Sequence, residues 1–334
     1  MAKLKILDMM ERPTTWDIID STKMNAFLTC PRAFFYEYIL GWRSENPNNH
    51  LVFGSAMHKA LEYLYLTDFS IDSIMEAFNL FLKEYRDSFP SHTDEIMHPK
   101  IPDHAMLVLA AYAKHYKDDH ESYKVLHTEI GGKILISTNS HIYFKMDTVL
   151  EDLKTGKVFS LEHKTASSLY MWAEQWDLAV QVGTYSHVLR CLFPPELFGG
   201  ITMNALVFRK VIKGWKQLLS NQPLTVEPPY DFSRYNIKKT RQQMLQWQNI
   251  VMNICDDIQR NLRMLIEDDS TENELMFSFP QNPTKCINYG KICAYHDFCL
   301  AWSNPLTKCD KPPIGFKIEH WNPMDEELKE VFTL

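Results

Sequence analysis

Apolar residues recur every three or four positions along most of the first third of the chain, which is the period of amphipathic helices. Ser21 and Thr22 can cap the first of these helices, and the pattern extends it to about Leu40. Three further helices are predicted on the same grounds, over residues 54–66, 70–89 and 103–119. The N-terminal region is therefore expected to be mostly helical.

The period then changes to that of strands. Residues 123–136 and 141–150 are rich in β-branched and aromatic side chains, and a Lys-Thr-Gly-Lys turn leads into a third strand that begins at Val158. These three strands are close in sequence and predict an antiparallel meander.

Helical and strand patterns alternate in the second half of the chain. A helix is predicted over 172–192, a strand over 201–211 and a long helix over 234–266. Residues 279–304 follow neither period, so something other than a hydrophobic core is expected to order them. The whole pattern predicts an α/β fold with a sheet that mixes hairpins and a helical crossover.

Composition and charge exclude several classes of protein. The 334 residues are 45% hydrophobic with only 11 glycines, which excludes disordered chains, collagen-like repeats and small disulfide scaffolds. The formal net charge of −7 argues against binding nucleic acid by bulk positive charge, whereas a local basic groove or bound metal cations are compatible with it. With no apolar run near ~20 residues and no signal-peptide core, a soluble cytoplasmic protein is expected.

Two acids and a lysine are predicted to meet on the meander. Glu162 and Lys164 point to the same face because side chains alternate along a strand, and antiparallel pairing can bring Asp147 beside them. Such a set suits phosphodiester hydrolysis, in which carboxylates hold divalent cations and a lysine orients water. Hard oxygen ligands favour Mg²⁺ or Mn²⁺. The alternative is that both acids are solvent-facing positions of a hairpin.

These residues resemble the motifs of the PD-(D/E)XK nuclease superfamily, in particular its RecB-like exonucleases. There the motif Asp…(Asp/Glu)-x-Lys, matched by Asp147, Glu162 and Lys164, is followed on a helix by Gln-x-x-x-Tyr, matched by Gln181 and Tyr185. The resemblance implies a restriction-endonuclease-like core, with a mixed central sheet flanked by helices. It also implies that Asp147, Glu162 and Lys164 are catalytic. Gln181 and Tyr185 are then expected to orient DNA or Lys164.

The resemblance extends to a metal-binding histidine. His58 lies in a Gly-Ser-Ala-Met-His-Lys-Ala-Leu stretch that looks like the helix carrying this ligand in RecB-like nucleases. It implies that His58, Asp147 and Glu162 bind Mn²⁺ or Mg²⁺, with the backbone carbonyl of His163 as an extra ligand. For a lone histidine, a purely structural role is the alternative.

Four residues near this set are candidates for binding substrate. Tyr170 and Trp172 follow the end of the catalytic strand at Thr165, and aromatic side chains there can stack on unpaired bases at about 1–3 kcal/mol each. Helix packing is the alternative for each aromatic residue. Glu129, early in the first strand, matches a less specific acidic position of the family.

Seven cysteines are placed unevenly along the chain. Four crowd the last fifth, one lies near the start and two stand alone: Cys286, Cys293, Cys299 and Cys309; Cys30; Cys191 and Cys255. In a reducing compartment such a cluster indicates metal or redox chemistry before disulfides. The two isolated residues are expected to be buried thiols.

The cysteines resemble those of the iron–sulfur branch of the superfamily, which includes AddB-type nuclease domains, CRISPR spacer-acquisition nucleases and phage relatives. The resemblance implies a [4Fe–4S] cluster that staples the N-terminal helix to the C-terminal segment, with four ligands: Cys30, Cys286, Cys293 and Cys299. The usual first spacing would put a cysteine at Gly290, so Cys286 takes that role through a longer loop. Structural Zn²⁺ is the rival, with His296 or Cys309 as alternative ligands.

The leading hypothesis is a metal-dependent DNA exonuclease acting on single strands or DNA ends, in recombination, repair or phage DNA processing. A non-catalytic DNA-binding or assembly subunit with the same fold and cluster is the alternative. The expected setting is the cytoplasm of a bacterial or phage-infected cell, with a homo-oligomer and a helicase, annealing or integrase partner as open options. The chain is expected to be one nuclease unit with five regions: 21–122 helical, 123–211 catalytic core, 212–278 strand and long helix, 279–304 cysteine-rich, and 305–334 tail.

Overall fold

The structure is a computed structural model that describes residues 14–138, 140–209, 228–288, 290–325 and 328–334. Its α-helices are, in chain order, α1 Ser21–Thr29, α2 Pro31–Phe34, α3 Asn49–Leu66, α4 Ile71–Ser88, α5 Asp94–Met97, α6 Pro102–His115, α7 Asp119–Ser122, α8 Val180–Leu192, α9 Arg241–Glu267 and α10 His296–Ala301. None of these helices combines the length and the apolar character needed to cross a membrane.

Within the described residues, the strands form one large sheet and two small ones. In chain order they are β1 Trp42–Ser44, β2 Tyr123–Ser137, β3 Ser140–Asp152, β4 Val158–Ala166, β5 Phe198–Phe208, β6 Tyr230–Ile237, β7 Ile287–Asn288, β8 Lys291–Ile292, β9 Phe316–Ile318 and β10 Glu330–Thr333. The large sheet has the order β10-β2-β3-β4-β5-β6. Because β4 and β5 are parallel while β3–β4 and β5–β6 are antiparallel, the predicted mixed α/β sheet is confirmed.

The chain divides into two compact units. One consists of Pro47–Ile130 and Met146–Lys239, and we call it the site unit. The other consists of Met1–Asn46, Gly131–Lys145 and Thr240–Leu334, and we call it the cysteine unit.

The core of the site unit lies between α3, its neighbouring helices and the sheet. Phe53, Met57, Leu61 and Leu64 share one face of α3 and are fully buried, because they recur every three or four residues. They pack with aromatic residues of α4 and α6 and with apolar residues of β4 and β5. Helix α8 packs on β4 and β5. The arrangement is consistent with the restriction-endonuclease-like core expected from the sequence.

The first predicted helix is interrupted. Helix α1 ends at Thr29, Cys30 is extended with φ −161°, and a new helix starts at Pro31 and continues as a π-helical turn over Phe35–Ile39. Proline lacks a backbone N–H and disfavours helical geometry in the residue before it, so Cys30 cannot continue α1. The single helix predicted to Leu40 is therefore wrong.

Two further helix predictions are too long at their N-terminal ends. Residues 172–179 form turns and a short 3₁₀ segment, and α8 begins only at Val180. Residues 234–237, predicted as helix, belong to β6, whose alternating aromatic and polar residues give it the period of a strand. The predicted strand over 201–211 is β5 as far as Phe208, and its last two positions lie outside the described residues.

Aromatic packing orders the C-terminal part of the cysteine unit. The Tyr36 and Trp42 rings stack with centroids 5.5 Å apart, and the Phe298 and Trp302 rings stack at 4.9 Å. Trp42 meets Phe298 edge-on at 5.9 Å, and Tyr295 Oη donates a hydrogen bond to the Trp42 carbonyl at 2.6 Å. The expectation that residues 279–304 have no hydrophobic core is therefore wrong, since bulky aromatic side chains supply one without helical or strand periodicity.

Candidate functional site

Strand pairing aligns the first two candidate catalytic acids. The antiparallel ladder of β3 and β4 ends with Thr148 paired to Leu161, and Asp147 and Glu162 are the residues next to this last pair, one on each strand. The backbone N–H of His163 donates to Asp147 Oδ2 at 2.8 Å, which fixes one carboxylate oxygen against β4. The structure thus brings Asp147 beside the Glu162–Lys164 segment.

Helix α3 contributes a histidine to the same place. His58 Nδ1 lies 3.3 Å from Asp147 Oδ1, with 27% and 12% of the two side chains exposed. Burial works against the charged form of His58, but the Asp147 carboxylate outweighs it and raises the histidine pKa. Burial likewise opposes ionisation of Asp147, and His58 followed by Lys164 nevertheless holds the pKa of Asp147 below its usual range. Asp147 is therefore the anionic acid of the site.

Glu162 is in the opposite state. Its side chain is fully buried, Oε1 accepts a hydrogen bond from the Ser160 hydroxyl, and Oε2 has no hydrogen-bond partner among the described residues. Burial, and then the nearby Asp147 charge, raise the pKa of Glu162 well above 4.5. Two neighbouring acids with pKa values pushed apart in this way are a mark of functional sites.

A third acid completes a group able to hold a cation. One ligand atom from each of His58, Glu129 and Asp147 lies within 4.8 Å of the other two. Glu129 is 9% exposed and has φ +46°, in the left-handed region that costs a non-glycine residue about 1–3 kcal/mol. Because Glu129 lies with His58 and Asp147, it is a candidate metal ligand. The sequence predicted only a contact with substrate for this residue.

His163 connects this site to a buried polar network. Its side chain is 1% exposed, Nδ1 lies 2.8 Å from Asn204 Nδ2, and burial lowers its pKa to about 3. Arg234 Nε donates to Asn204 Oδ1 at 3.3 Å, and its guanidinium also pairs with Asp119 at 2.5 Å. Asn204 thus holds the His163 ring in place, and the ring is neutral, so it contributes no charge to the site.

Lys164 lies next to the carboxylates and against an aromatic ring. Its Nζ is 5.8 Å from the centroid of the Trp176 ring, and its charge acts on Asp147 and Glu162. Trp176 meets Trp172 edge-on at 5.9 Å, and Trp172 is only 6% exposed. Trp172 therefore packs within the loop after β4, which supports the alternative of a structural role for it.

The same loop presents apolar side chains to solvent. Tyr170 is 84% exposed, Met171 62% and Leu178 86%. The loop is fastened at Asp177, whose carboxylate accepts a hydrogen bond from Tyr235 Oη at 2.9 Å and whose carbonyl accepts one from Lys239 Nζ at 2.6 Å. Tyr170 is thus an exposed aromatic residue on an anchored loop, the arrangement expected of a base-stacking residue.

Gln181 and Tyr185 meet on the first turns of α8. Gln181 Nε2 donates to Tyr185 Oη at 2.8 Å, which agrees with the shared helix face predicted from their spacing. Tyr185 is 4% exposed and Gln181 is half-buried.

Sequence reasoning missed two charged residues near the site. Lys100 is 5% exposed and donates from Nζ to Thr165 Oγ1 at 2.9 Å. Arg234 was assigned to a helix, although the alternation of β6 would have placed it on a strand beside β5. Nothing in the sequence around Lys100 signals its position, because its contact with Thr165 spans 65 residues.

Four of the predicted cysteines line one cavity in the cysteine unit. Cys30, Cys286, Cys293 and Cys299 line it together with His296 and other residues. Asn282 donates its backbone N–H to Cys30 Sγ at 3.4 Å, and the Cys293 N–H donates to the Cys286 carbonyl at 2.9 Å. Burial raises the pKa of Cys293, and it raises that of Cys299 to about 11, with the other cysteines adding to both shifts.

The remaining cysteines lie apart from this cavity. Cys309 does not line it and donates to the Pro305 carbonyl at 3.0 Å. Cys255 is half-buried, and Cys191 is exposed on the last turn of α8. The expectation that both are buried thiols is therefore wrong for Cys191, because the last turn of the helix turns this position to solvent, and Cys255 is only partly buried.

Comparison with known proteins gives a family. The family model described as the PD-(D/E)XK nuclease superfamily matches residues 21–300, which is most of the chain. The search of curated proteins found no match to this chain.

Proposed function

The chain belongs to the PD-(D/E)XK nuclease superfamily, and on that premise we propose that it is a metal-dependent DNA exonuclease of the RecB-like branch. The nucleases of this superfamily use divalent metals, and the family implies DNA as the substrate. Beyond this, we propose that the enzyme is RecB-like, that it digests DNA from its ends, and that it binds Mn²⁺ or Mg²⁺ and an iron–sulfur cluster.

The observation that carries the proposal is the group formed by His58, Glu129 and Asp147. Its ligand atoms lie within 4.8 Å of one another beside the Glu162–Lys164 segment. Two carboxylates supply the hard oxygen donors that both Mn²⁺ and Mg²⁺ accept, and the imidazole nitrogen makes the set fit Mn²⁺ better than Mg²⁺. The unpartnered Oε2 of Glu162 supports its inclusion as a further ligand, because a buried carboxylate oxygen otherwise lacks compensation.

The chemistry divides between the cation and the side chains of the chain. Divalent cations supply polarisation of the scissile phosphate and activation of water when they are bound. Asp147 is already anionic and is aligned by His58 and the His163 N–H, so it is ready to accept a cation. We assign the His163 carbonyl to the same ligand set, and the buried His163 ring to holding β4 in place.

Lys164 orients the attacking water and balances charge on the phosphate. Trp176 lies under its ammonium group, which keeps the lysine beside the acids without pairing it to one of them. Gln181, hydrogen-bonded to Tyr185, presents a half-buried amide to DNA or to Lys164. Together these residues position the reactants, which lowers the entropic part of the activation barrier.

The loop after β4 supports a preference for unpaired strands. Tyr170 projects an exposed ring from an anchored loop, and an aromatic ring of this kind can stack on a splayed base. A base inside a duplex has no free face to offer, so single-stranded DNA or frayed ends fit this surface better.

We further propose that the four-cysteine cavity holds a [4Fe–4S] cluster that acts as a structural staple. All four cysteines line one cavity, which supports a single group held by four thiolates. The choice of a cluster over one zinc ion follows from the resemblance of their order and spacing to the iron–sulfur branch. Raised thiol pKa values also mean that bound cations must compensate the thiolates.

The test is digestion of end-labelled single-stranded and duplex DNA by anaerobically purified protein, with Mn²⁺, Mg²⁺ or EDTA. We expect digestion only with metal, and a loss of at least about 100-fold in Lys164→Met and Asp147→Asn. Glu129→Gln should raise the Mn²⁺ concentration needed by about tenfold or more. Lys154→Met is the matched control, because it removes an exposed lysine from the turn between β3 and β4.

The products decide the remaining points. Mononucleotides or short products released from labelled ends support an exonuclease, whereas internal nicks in circular DNA contradict that part of the proposal. A folded protein that carries its cluster and binds DNA but cuts nothing with any metal would refute the enzyme and favour a DNA-binding subunit.

A further inference from the structure

Lys100 is a buried lysine without an ionic partner. It lies before α6 with 5% of its surface exposed, and its ammonium group is 5.9 Å from the centroid of the Phe53 ring. Among the described residues no carboxylate forms an ion pair with it, and burial lowers its pKa to about 8. At neutral pH most of this lysine is still charged, so an uncompensated cation is held inside the protein. Such a cation is costly unless an anion joins it.

The backbone around Lys100 is fixed in place. Its carbonyl accepts hydrogen bonds from Tyr85 Oη at 3.1 Å and from Asn49 Nδ2 at 3.4 Å. Its own N–H donates to the Met97 carbonyl at 3.1 Å. These contacts come from α3, α4 and α5, so the lysine is positioned before any ligand binds.

The ammonium group is directed at a hydroxyl of the catalytic strand. Lys100 Nζ donates to Thr165 Oγ1 at 2.9 Å, and Thr165 is half-buried directly after Lys164. Because the hydroxyl oxygen accepts from an ammonium group, its hydrogen turns away from Lys100 and becomes a stronger donor. The pair therefore presents one charge-assisted O–H group on the face of β4 that is turned to Gly54 of α3, while the alternation of β4 turns the Glu162 and Lys164 side chains to the other face.

Helix α3 relates this pair to the metal group. A Cβ atom at Gly54 would lie 3.9 Å from Thr165 Oγ1, and His58 is four residues further along α3 on the same face. The two positions are about 6 Å apart along the helix axis. That distance is similar to the spacing between two neighbouring phosphates of one nucleic-acid strand.

We propose that Thr165 and Lys100 form a binding pair for the DNA phosphate next to the one that is cut. Thr165 donates its hydroxyl hydrogen to a phosphate oxygen, and Lys100 acts through Thr165 as a positioning residue that supplies the compensating charge. This inference rests on the proposed function, because it takes the strand held at His58 and Asp147 to be DNA.

The test measures binding of a fluorescent single-stranded oligonucleotide by anisotropy in EDTA, so that no cleavage is needed. We expect Lys100→Met and Thr165→Val each to weaken binding by about tenfold. The double variant should lose no more affinity than either single variant, because Lys100 acts through Thr165, and Thr165→Ser should retain the binding that Thr165→Val loses. The salt dependence of log K should fall by about 0.7 in Lys100→Met, the value for one phosphate contact on a single strand.

Two controls separate this role from a structural one. Lys114→Met removes an exposed lysine of α6 in the same unit and should leave the affinity within about twofold. Lys100→Met keeps the apolar stem and removes a buried charge, so its melting temperature should equal or exceed that of the unchanged protein. Weaker binding that accompanies a lower melting temperature would indicate a structural role and overturn the inference.

Other results also decide the matter. Unchanged affinity and salt dependence in Lys100→Met, or no DNA binding by the unchanged protein, would refute the phosphate pair. Normal metal-dependent digestion with an unchanged KM in Lys100→Met would refute it while leaving the nuclease intact. Lys100-dependent binding without digestion would sustain a phosphate contact at this pair, and it would refute the nuclease and with it the place of that phosphate next to a cut.

Discussion

Arg234 provides a quantitative test of how the site unit is held together. Its guanidinium donates to Asp119 at 2.5 Å, to Tyr65 Oη at 2.7 Å and to Tyr112 Oη at 3.1 Å. It also lies 3.6 Å from the centroid of the Tyr116 ring. Replacing it by methionine would leave the Asp119 carboxylate inside the unit with no cation beside it.

A second arginine provides the matched control. Arg209 pairs with Asp231 at the same distance, 2.5 Å, but those side chains are 35% and 41% exposed, against 18% and 10% for Arg234 and Asp119. Breaking a buried pair by removing one partner costs about 3–5 kcal/mol. An exposed pair contributes about 0–1 kcal/mol. The two variants therefore differ by several kcal/mol although the pair distances are equal.

Urea unfolding, followed by circular dichroism and tryptophan fluorescence, measures both effects. We expect Arg234→Met to lose about 3–5 kcal/mol of unfolding free energy and Arg209→Met less than about 1 kcal/mol. Adding Asp119→Asn to Arg234→Met should recover part of the loss, because the unpaired charge is gone. Equal losses in the two single variants, or no recovery in the double variant, would refute the argument from burial.

Two more predictions concern the acids and the cysteines. The pKa of Glu162 is raised in the folded protein, so folding is favoured below the unfolded pKa of about 4.5 and this stability is lost as pH rises above it. In EDTA, Glu162→Gln should therefore melt above the unchanged protein at pH 8 and equal to it near pH 4.5, and a difference independent of pH would contradict this. Cys286→Ser should lose iron and absorbance near 400 nm after anaerobic purification, whereas Cys255→Ser and Cys309→Ser keep both; stoichiometric zinc in a colourless protein would refute the cluster.

The sequence predicts those parts of the site that follow from local periodicity. Glu162 and Lys164 alternate on one strand, and Gln181 and Tyr185 are one helical turn apart, so their neighbourhood depends on spacing alone. The Asp147 pairing follows because a short turn sets the register of β3 and β4. Each of these relations spans at most 16 residues of sequence.

Contacts between residues that are far apart in the sequence could not be predicted in this way. Lys100 reaches Thr165 across 65 residues, and Arg234 reaches Asp119 across 115. No spacing rule links such positions, and Arg234 was further obscured by a helix predicted over a strand. The aromatic core around Trp42 was missed for a related reason, since its members come from segments more than 250 residues apart.

The residues that sequence rules explain least are those with the strongest claim to function. Glu129 has a left-handed backbone, and within the part of the chain that the structure describes Glu162 holds a buried oxygen without a partner and Lys100 a buried charge without a counter-ion. Each of these features lowers the stability of the protein when no ligand is bound. All three belong to the site unit, and a divalent cation and a phosphate are the ligands that would compensate them. Under the proposed function this cost has one common explanation, which is that metal and DNA complete the unit.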